Sequence, residues 1–147
     1  MIDELLRNLD QDVVVAQGDN YVVSNLSNNV INGDMRGWIC GHFYQKGSAF
    51  HRNDIEICFK TLHVGFSEEL HHHLCSFEFL VVLSGEVVYE ICDDMHVMKP
   101  GMFYMLEPGN TERIVKVNEE TTVFAVRLPS VPGNKVFEPK EAAVCAE

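Results

Sequence analysis

The chain has 147 residues, of which 46% are hydrophobic and 22% charged, and its formal net charge at pH 7 is −11. This length and composition indicate one soluble domain with a core of its own. The negative charge argues against nucleic acid and anionic membrane surfaces as partners. The apolar runs are too short to span a bilayer, the acidic N-terminus does not resemble a signal peptide, and five cysteines without paired spacing predict reduced thiols in a cytoplasmic protein.

Residues 1–35 are predicted to form an N-terminal arm, with a short helix over Ile2–Leu9 where apolar residues recur at helical spacing. From residue 36 onward, turn signals such as Ser84-Gly85 and Asn118-Glu119-Glu120 separate short runs rich in Val, Ile, Phe and Tyr. This pattern predicts an antiparallel sandwich or barrel over residues 36–137, followed by a C-terminal tail over 138–147. The predicted strands lie near residues 38–44, 54–64, 71–75, 77–83, 86–92, 95–98, 102–106, 111–117 and 122–128.

The N-terminal arm is more apolar than a solvated tail needs to be, since it contains Val13-Val14-Val15 and Tyr21-Val22-Val23. Exposed apolar surface of this kind tends to mark an interface. We therefore expect a homodimer in which the arm packs against the partner subunit.

Three consecutive histidines precede an apolar run that contains one glutamate, Glu78. Alternation along a strand places His71 and His73 on one face and His72 on the other. A turn or bulge between His73 and Glu78 would bring the carboxylate to the same wall. Two imidazoles and one carboxylate suit Fe(II) and other first-row divalent ions, and such a cation would neutralise a carboxylate that is costly to bury alone.

The spacing Gly65-x5-His71-x-His73-x4-Glu78-x6-Gly85 resembles, position for position, the first conserved motif of the cupin superfamily. The resemblance implies an all-β, single-domain double-stranded β-helix, the cupin jelly-roll barrel, with a metal site inside it. A looser resemblance, through Gly37-Trp38-Ile39 and the segment 129–135, is to small single-domain cupins of unassigned activity.

The second cupin motif is only partly present over residues 101–116. Gly101 and Gly109 stand, whereas Glu112 replaces the histidine that is usually a metal ligand in the family. Three alternatives follow: Glu112 is a fourth ligand beside His71, His73 and Glu78; it turns outward and water takes its place; or the metal has been lost and the histidines line a polar pocket. The predicted cofactor is a divalent Fe, Mn, Ni or Zn ion.

Other candidates have plainer interpretations. Cys75 shares the parity of His71 and His73, yet a small core thiol is the commoner role for cysteine. His63 ends a predicted strand and faces either the cavity or the exterior. Glu107 lies beside a turn, where solvated polar residues are common. The catalytic residues are not assigned by the sequence.

Three functions stay open at this stage. One is a metal-dependent enzyme acting on a small polar metabolite, a sugar or a carboxylate, in the barrel cavity. Another is a module that binds such a small-molecule ligand without turnover. The last is a metal-free structural cupin that works as an oligomer. The fold alone does not choose among them.

Overall fold

The computed structural model describes residues 14–18, 20–26 and 36–139, so the predicted helix over Ile2–Leu9 and most of the predicted tail lie outside the described residues. In the described part, no helix is long and apolar enough to cross a membrane. The strands there are β1 (Val14–Gln17), β2 (Val22–Ser24), β3 (Trp38–Cys40), β4 (Glu56–Leu62), β5 (His71–His73), β6 (Phe77–Ile91), β7 (Asp94–Met98), β8 (Phe103–Leu106), β9 (Thr111–Leu128) and β10 (Lys135–Phe137).

Eight of these strands form one antiparallel sheet with the order β10-β5-β9-β4-β3, and β6 joins it by pairing with β7, β8 and β9. The long strands β6 and β9 pair over almost their whole lengths and hold the sheet together. Strands β1 and β2 pair with each other in a separate two-stranded sheet. The antiparallel all-β architecture that the strand spacing predicts is therefore confirmed.

Two predicted turns are wrong. The chain does not reverse at Ser84-Gly85 or at 118–120, because β6 and β9 continue through these positions. Their pairing shifts register at several points between Val82 and Val87, which is the signature of β-bulges. A bulge bends a strand without ending it, so glycine and polar residues mark a bend here rather than a turn. Strands β1, β2 and β10 were not predicted at all.

Gly85 is the residue that the bend requires, and its replacement by alanine is expected to destabilise the fold strongly. Its φ is +84°, and a Cβ there would lie 2.2 Å from the carbonyl oxygen of Glu120 and 2.7 Å from the Cα of Thr121. Gly101 is a matched control because its φ is +88° but a Cβ there would meet nothing within 4 Å. We expect Gly101→Ala to lower the free energy of unfolding by about 1–2 kcal/mol from backbone strain alone, and Gly85→Ala to lower it clearly more. Urea denaturation measures both losses. Equal losses would contradict the clash.

The interior of the sheet is divided between an apolar core and a polar group. Among the residues that the structure describes, thirteen apolar ones are buried in the core, including Leu80, Val82 and Val87 on β6. Buried charged or titratable side chains are unusual in such an interior, yet several occur here: Glu56, His71, His73, Glu78 and Glu112. This polar group is where a functional site is expected.

Candidate metal centre

Strand β5 directs two of its three histidines into the interior. His71 and His73 are buried, at 1% and 4% exposure, while His72 points the other way and its Nδ1 pairs with the carboxylate of Glu138. The predicted alternation of the three rings is confirmed. The side of β5 that carries His71 and His73 therefore faces the polar interior.

Glu112 completes the group because β5 and β9 pair in a register that sets it directly opposite His71. Its Oε1 lies 3.3 Å from His71 Nε2 and 3.7 Å from His73 Nε2. One potential ligand atom from each of these three residues lies within 4.8 Å of the others, and all three residues are buried. Two imidazoles and one carboxylate at this spacing are a donor set for a first-row divalent ion.

Two neighbours orient these donors. His71 Nδ1 is 2.9 Å from the carbonyl oxygen of Glu69, and because a carbonyl only accepts, Nδ1 is the donor of this bond and Nε2 is the ring nitrogen that faces Glu112. The hydroxyl of Tyr104 donates to Glu112 Oε2 over 2.6 Å, which leaves Oε1 to face the histidines. Such orienting partners are characteristic of metal ligands.

Glu78 lies beside the group but is held by a second partner. Its Oε2 is 3.6 Å from His73 Nε2, and its Oε1 accepts a hydrogen bond of 3.1 Å from Nε of Arg127. The register of β6 and β9 sets Glu78 directly opposite Arg127. The guanidinium is therefore a cation that balances this buried carboxylate, a role that the sequence assigns to a metal ion.

Electrostatics favours the ligating forms of two of these residues. Burial lowers the pKa of His73, which keeps its imidazole neutral. Burial alone would raise the pKa of Glu112, but its contacts with His71 and His73 outweigh burial and hold that pKa well below its usual range. Burial and the charge of Glu112 raise the pKa of Glu78 well above its usual range, against the effect of Arg127.

Three buried polar atoms have no hydrogen-bond partner among the described residues: both ring nitrogens of His73 and Oε2 of Glu78. Leaving such atoms unsatisfied costs free energy, and native proteins rarely do so without a reason. Two of the unpaired atoms belong to His73, a member of the donor set, and the third belongs to its neighbour Glu78. A cation held by His71, His73 and Glu112, with Glu78 beside it, fits these residues.

Two adjoining cavities reach the group. An inner cavity of about 60 Å³ is lined by His71, Glu78 and Glu112 among other residues. An outer cavity of about 370 Å³ is lined by His73. Four residues line both cavities: Trp38, Lys60, Glu68 and Arg127. The outer cavity has the size of a small-molecule site.

Several sequence candidates lie elsewhere. Cys75 is exposed, and its thiol donates to Asn134 Oδ1. His63 is exposed and pairs with Glu120, and Glu107 is exposed as well. Sequence reasoning missed Arg127, whose signal is a single arginine inside the apolar run Val-Phe-Ala-Val-Arg-Leu.

Comparison with known proteins identifies the fold. The family model for the cupin domain matches residues 58–126. The chain contains a cupin domain. Among curated proteins, none matches the chain significantly.

Solved structures share this cupin architecture. An uncharacterized protein with a double-stranded beta-helix domain from Klebsiella pneumoniae subsp. pneumoniae MGH 78578 is 16% identical, with a TM-score of 0.60 over 80% of this chain and 97% of that one. A structure from a study of the DMSP lyases RdDddP and RnDddQII is 13% identical, with a TM-score of 0.56 over 70% of this chain and 52% of that one. Oxalate decarboxylase from Bacillus subtilis follows at 16% identity and 0.52, over 58% and 24%. These likenesses establish the double-stranded β-helix.

Proposed function

We propose that this cupin binds a divalent first-row metal ion, Fe, Mn, Ni or Zn, and is a metal-dependent enzyme acting on a small polar metabolite in the barrel cavity. The observation that carries the proposal is the convergence of three buried donors, His71, His73 and Glu112, beside an outer cavity of small-molecule size. When bound, such an ion would polarise an oxygen atom of the ligand. The structural neighbours include enzymes, an oxalate decarboxylase and DMSP lyases, so the fold is compatible with catalysis.

The protein's own residues would bind and orient. Tyr104 fixes Glu112 through its hydrogen bond, and the backbone of Glu69 fixes the ring of His71. Arg127 keeps one oxygen of Glu78 occupied and leaves the other beside His73. Glu112, His71, Glu78 and Tyr104 are buried, and the low local dielectric of a buried site strengthens their interactions.

A second candidate function is a module that binds a small ligand without turnover. It is favoured by the absence, among the described residues, of an assigned catalytic acid or base apart from the carboxylates already engaged at the centre. Turnover separates the two: incubation of the metal-loaded protein with small sugars and carboxylates should convert one of them, and conversion should stop after chelation. Ligand binding that leaves every compound unchanged would favour the binding module.

Glu112→Gln tests whether Glu112 is a ligand. The amide keeps the shape but loses the charge, so metal affinity should fall by well over tenfold if Oε1 binds the ion. Tyr104→Phe is the matched comparison. It removes only the hydrogen bond that orients the carboxylate, so it should lower metal affinity less than Glu112→Gln does. Metal content after dialysis against a weak chelator is the measurement. An unchanged metal content in Glu112→Gln would remove Glu112 from the ligand set.

We further propose that the protein is a homodimer in which the N-terminal arm contacts the partner subunit. In support, β1 and β2 pair only with each other among the described strands, and Tyr21 and Val23 on this hairpin are 61% and 49% exposed. Light scattering at micromolar concentration should give a dimeric mass, and Tyr21→Ser combined with Val23→Ser should shift it toward the monomer. A monomeric mass for the unaltered protein would contradict this.

A cytoplasmic location is also proposed. The four cysteines in the described part of the chain are free thiols, which is the usual state of cysteine in a reducing compartment.

A further inference from the structure

The outer cavity concentrates positive charge in a protein that is otherwise strongly acidic. The chain has 11 lysine and arginine residues against 22 acidic residues. Four of the cationic residues line this one cavity: Arg36, Lys60, Arg127 and Lys135. Two carboxylates, Glu56 and Glu68, line it with them.

The two carboxylates of the cavity already have partners. Glu56 Oε1 lies 3.7 Å from Nη1 of Arg127, and its other oxygen accepts a hydrogen bond from the hydroxyl of Ser130. Glu68 accepts a hydrogen bond from the backbone N–H of Ile114. Arg127 is engaged by both Glu56 and Glu78.

Arg36, Lys60 and Lys135, by contrast, form no ion pair with any described residue. Lys60 stacks its ammonium over the ring of Phe66 at 4.9 Å, and Lys135 lies over the ring of Phe137 at 5.3 Å. These contacts hold the two side chains in place without neutralising them. Glu68 has a backbone partner but no cationic partner in the described part of the chain. Three unpaired cations therefore stand against one carboxylate that is not neutralised, which leaves the lining positive and able to attract anions.

Lys60 is the best placed of the three. It lies on β4, it is partly buried, and it lines both the outer cavity and the inner cavity of the metal group. A compact ammonium with three donors binds an oxyanion as a point charge. Its position allows contact with a molecule that also reaches the metal group.

We propose that the outer cavity binds a small organic anion through Lys60, with Arg36 and Lys135 at its exposed side, so that the metabolite is a carboxylate rather than an uncharged sugar. That this anion is the substrate of an enzyme rests on the proposed function, whereas the binding of the anion does not. The anion would lie between the cations and the metal group, where the positive potential and a few fixed donors set its orientation.

The test compares anions with uncharged molecules of the same shape. Malonate and succinate would be titrated by calorimetry, beside malonamide, succinamide and inorganic phosphate, into the full chain in both metal-loaded and chelator-treated forms. A dicarboxylate should bind at least about tenfold more tightly than its diamide, as expected when hydrogen bonds involve charged groups. Its affinity should also fall as salt is added. Equal binding of carboxylate and diamide would overturn the inference, and tighter binding of phosphate would overturn the assignment of a carboxylate.

Lys60→Met removes the charge while it keeps most of the side-chain length. Lys116→Met is the matched control, since Lys116 lies on β9, is exposed and lines neither cavity. Lys60→Met should weaken dicarboxylate binding at least about tenfold in both metal-loaded and chelator-treated protein, without loss of metal content, and Lys116→Met should change neither. Undiminished binding in Lys60→Met would refute the role of Lys60. A wild-type protein that takes up no metal but binds the dicarboxylate through Lys60 would refute the proposed function and leave anion binding standing.

Discussion

His71→Ala and His73→Ala are each expected to purify with little or no metal. Both rings are buried and face Glu112 across the polar interior. Each substitution therefore removes a ligand of the ion and not a residue that only orients a ligand. The loss of affinity should exceed the roughly 10–100-fold that follows when a residue merely orients a ligand. Elemental analysis of the dialysed proteins measures the effect.

His72→Ala provides the control for these two variants. It lies between them on the same strand, but its ring turns away and pairs with Glu138, so its metal content should match that of the wild type. A thermal melt of each variant separates loss of metal from loss of fold. If the His71 and His73 variants keep as much metal as the wild type, the donor set is a polar pocket lining and the enzyme proposal loses its chemical basis.

Arg127→Met is expected to destabilise the metal-free protein by about 3–5 kcal/mol, the usual cost of removing one partner of a buried ion pair. The variant leaves Glu78 and Glu56 in the interior without their shared cation. Urea denaturation after chelation gives the free energy of unfolding. The same substitution should lower the free energy of unfolding of the metal-loaded protein less, because the ion supplies a positive charge near Glu78.

The pH dependence of the same variant has a definite sign. The folded state raises the pKa of Glu78 through burial and the charge of Glu112, and loss of Arg127 raises it further. The folded protein then keeps a proton to a higher pH than the unfolded chain, so stability falls as pH rises. The loss of unfolding free energy caused by Arg127→Met should therefore be larger at pH 8 than at pH 5.

Arg113→Met is the matched control on the same strand. Arg113 pairs with Glu90, but its side chain is 39% exposed, and an ion pair near the surface contributes only about 0–1 kcal/mol. Similar losses in the Arg113 and Arg127 variants would show that Arg127 does not balance buried charge.

The sequence predicts the histidine pair well because a strand alternates its side chains regardless of its partners. His71 and His73 share a face wherever β5 pairs, and the cupin resemblance brings Glu112 into consideration. The inner position of Glu112 depends on the β5–β9 register. One sequence cannot supply that register, which is why the alternatives for Glu112 stay open until the strands are placed.

The partner of Glu78 was not predicted, because it lies 49 positions away along the chain. Both residues are single charges in apolar strand runs, and two opposite charges of this kind are a signal of cross-strand pairing that sequence reasoning could have used. The bends at Gly85 and near Glu119 were mistaken for turns for a related reason. Local composition marks a special backbone position, but only the pairing strand decides between a bulge and a reversal.

We propose that the group formed by His71, His73 and Glu112 holds a metal ion, with Glu78 beside it. Elemental analysis of the full chain, expressed without an affinity tag in medium supplied with Fe, Mn, Ni and Zn, tests it most directly. Anomalous scattering from crystals of the same protein then locates the ion. We expect a near-stoichiometric first-row ion with an anomalous peak between the two Nε2 atoms and Glu112 Oε1. Protein that stays free of metal after this expression and after titration with each ion would contradict it.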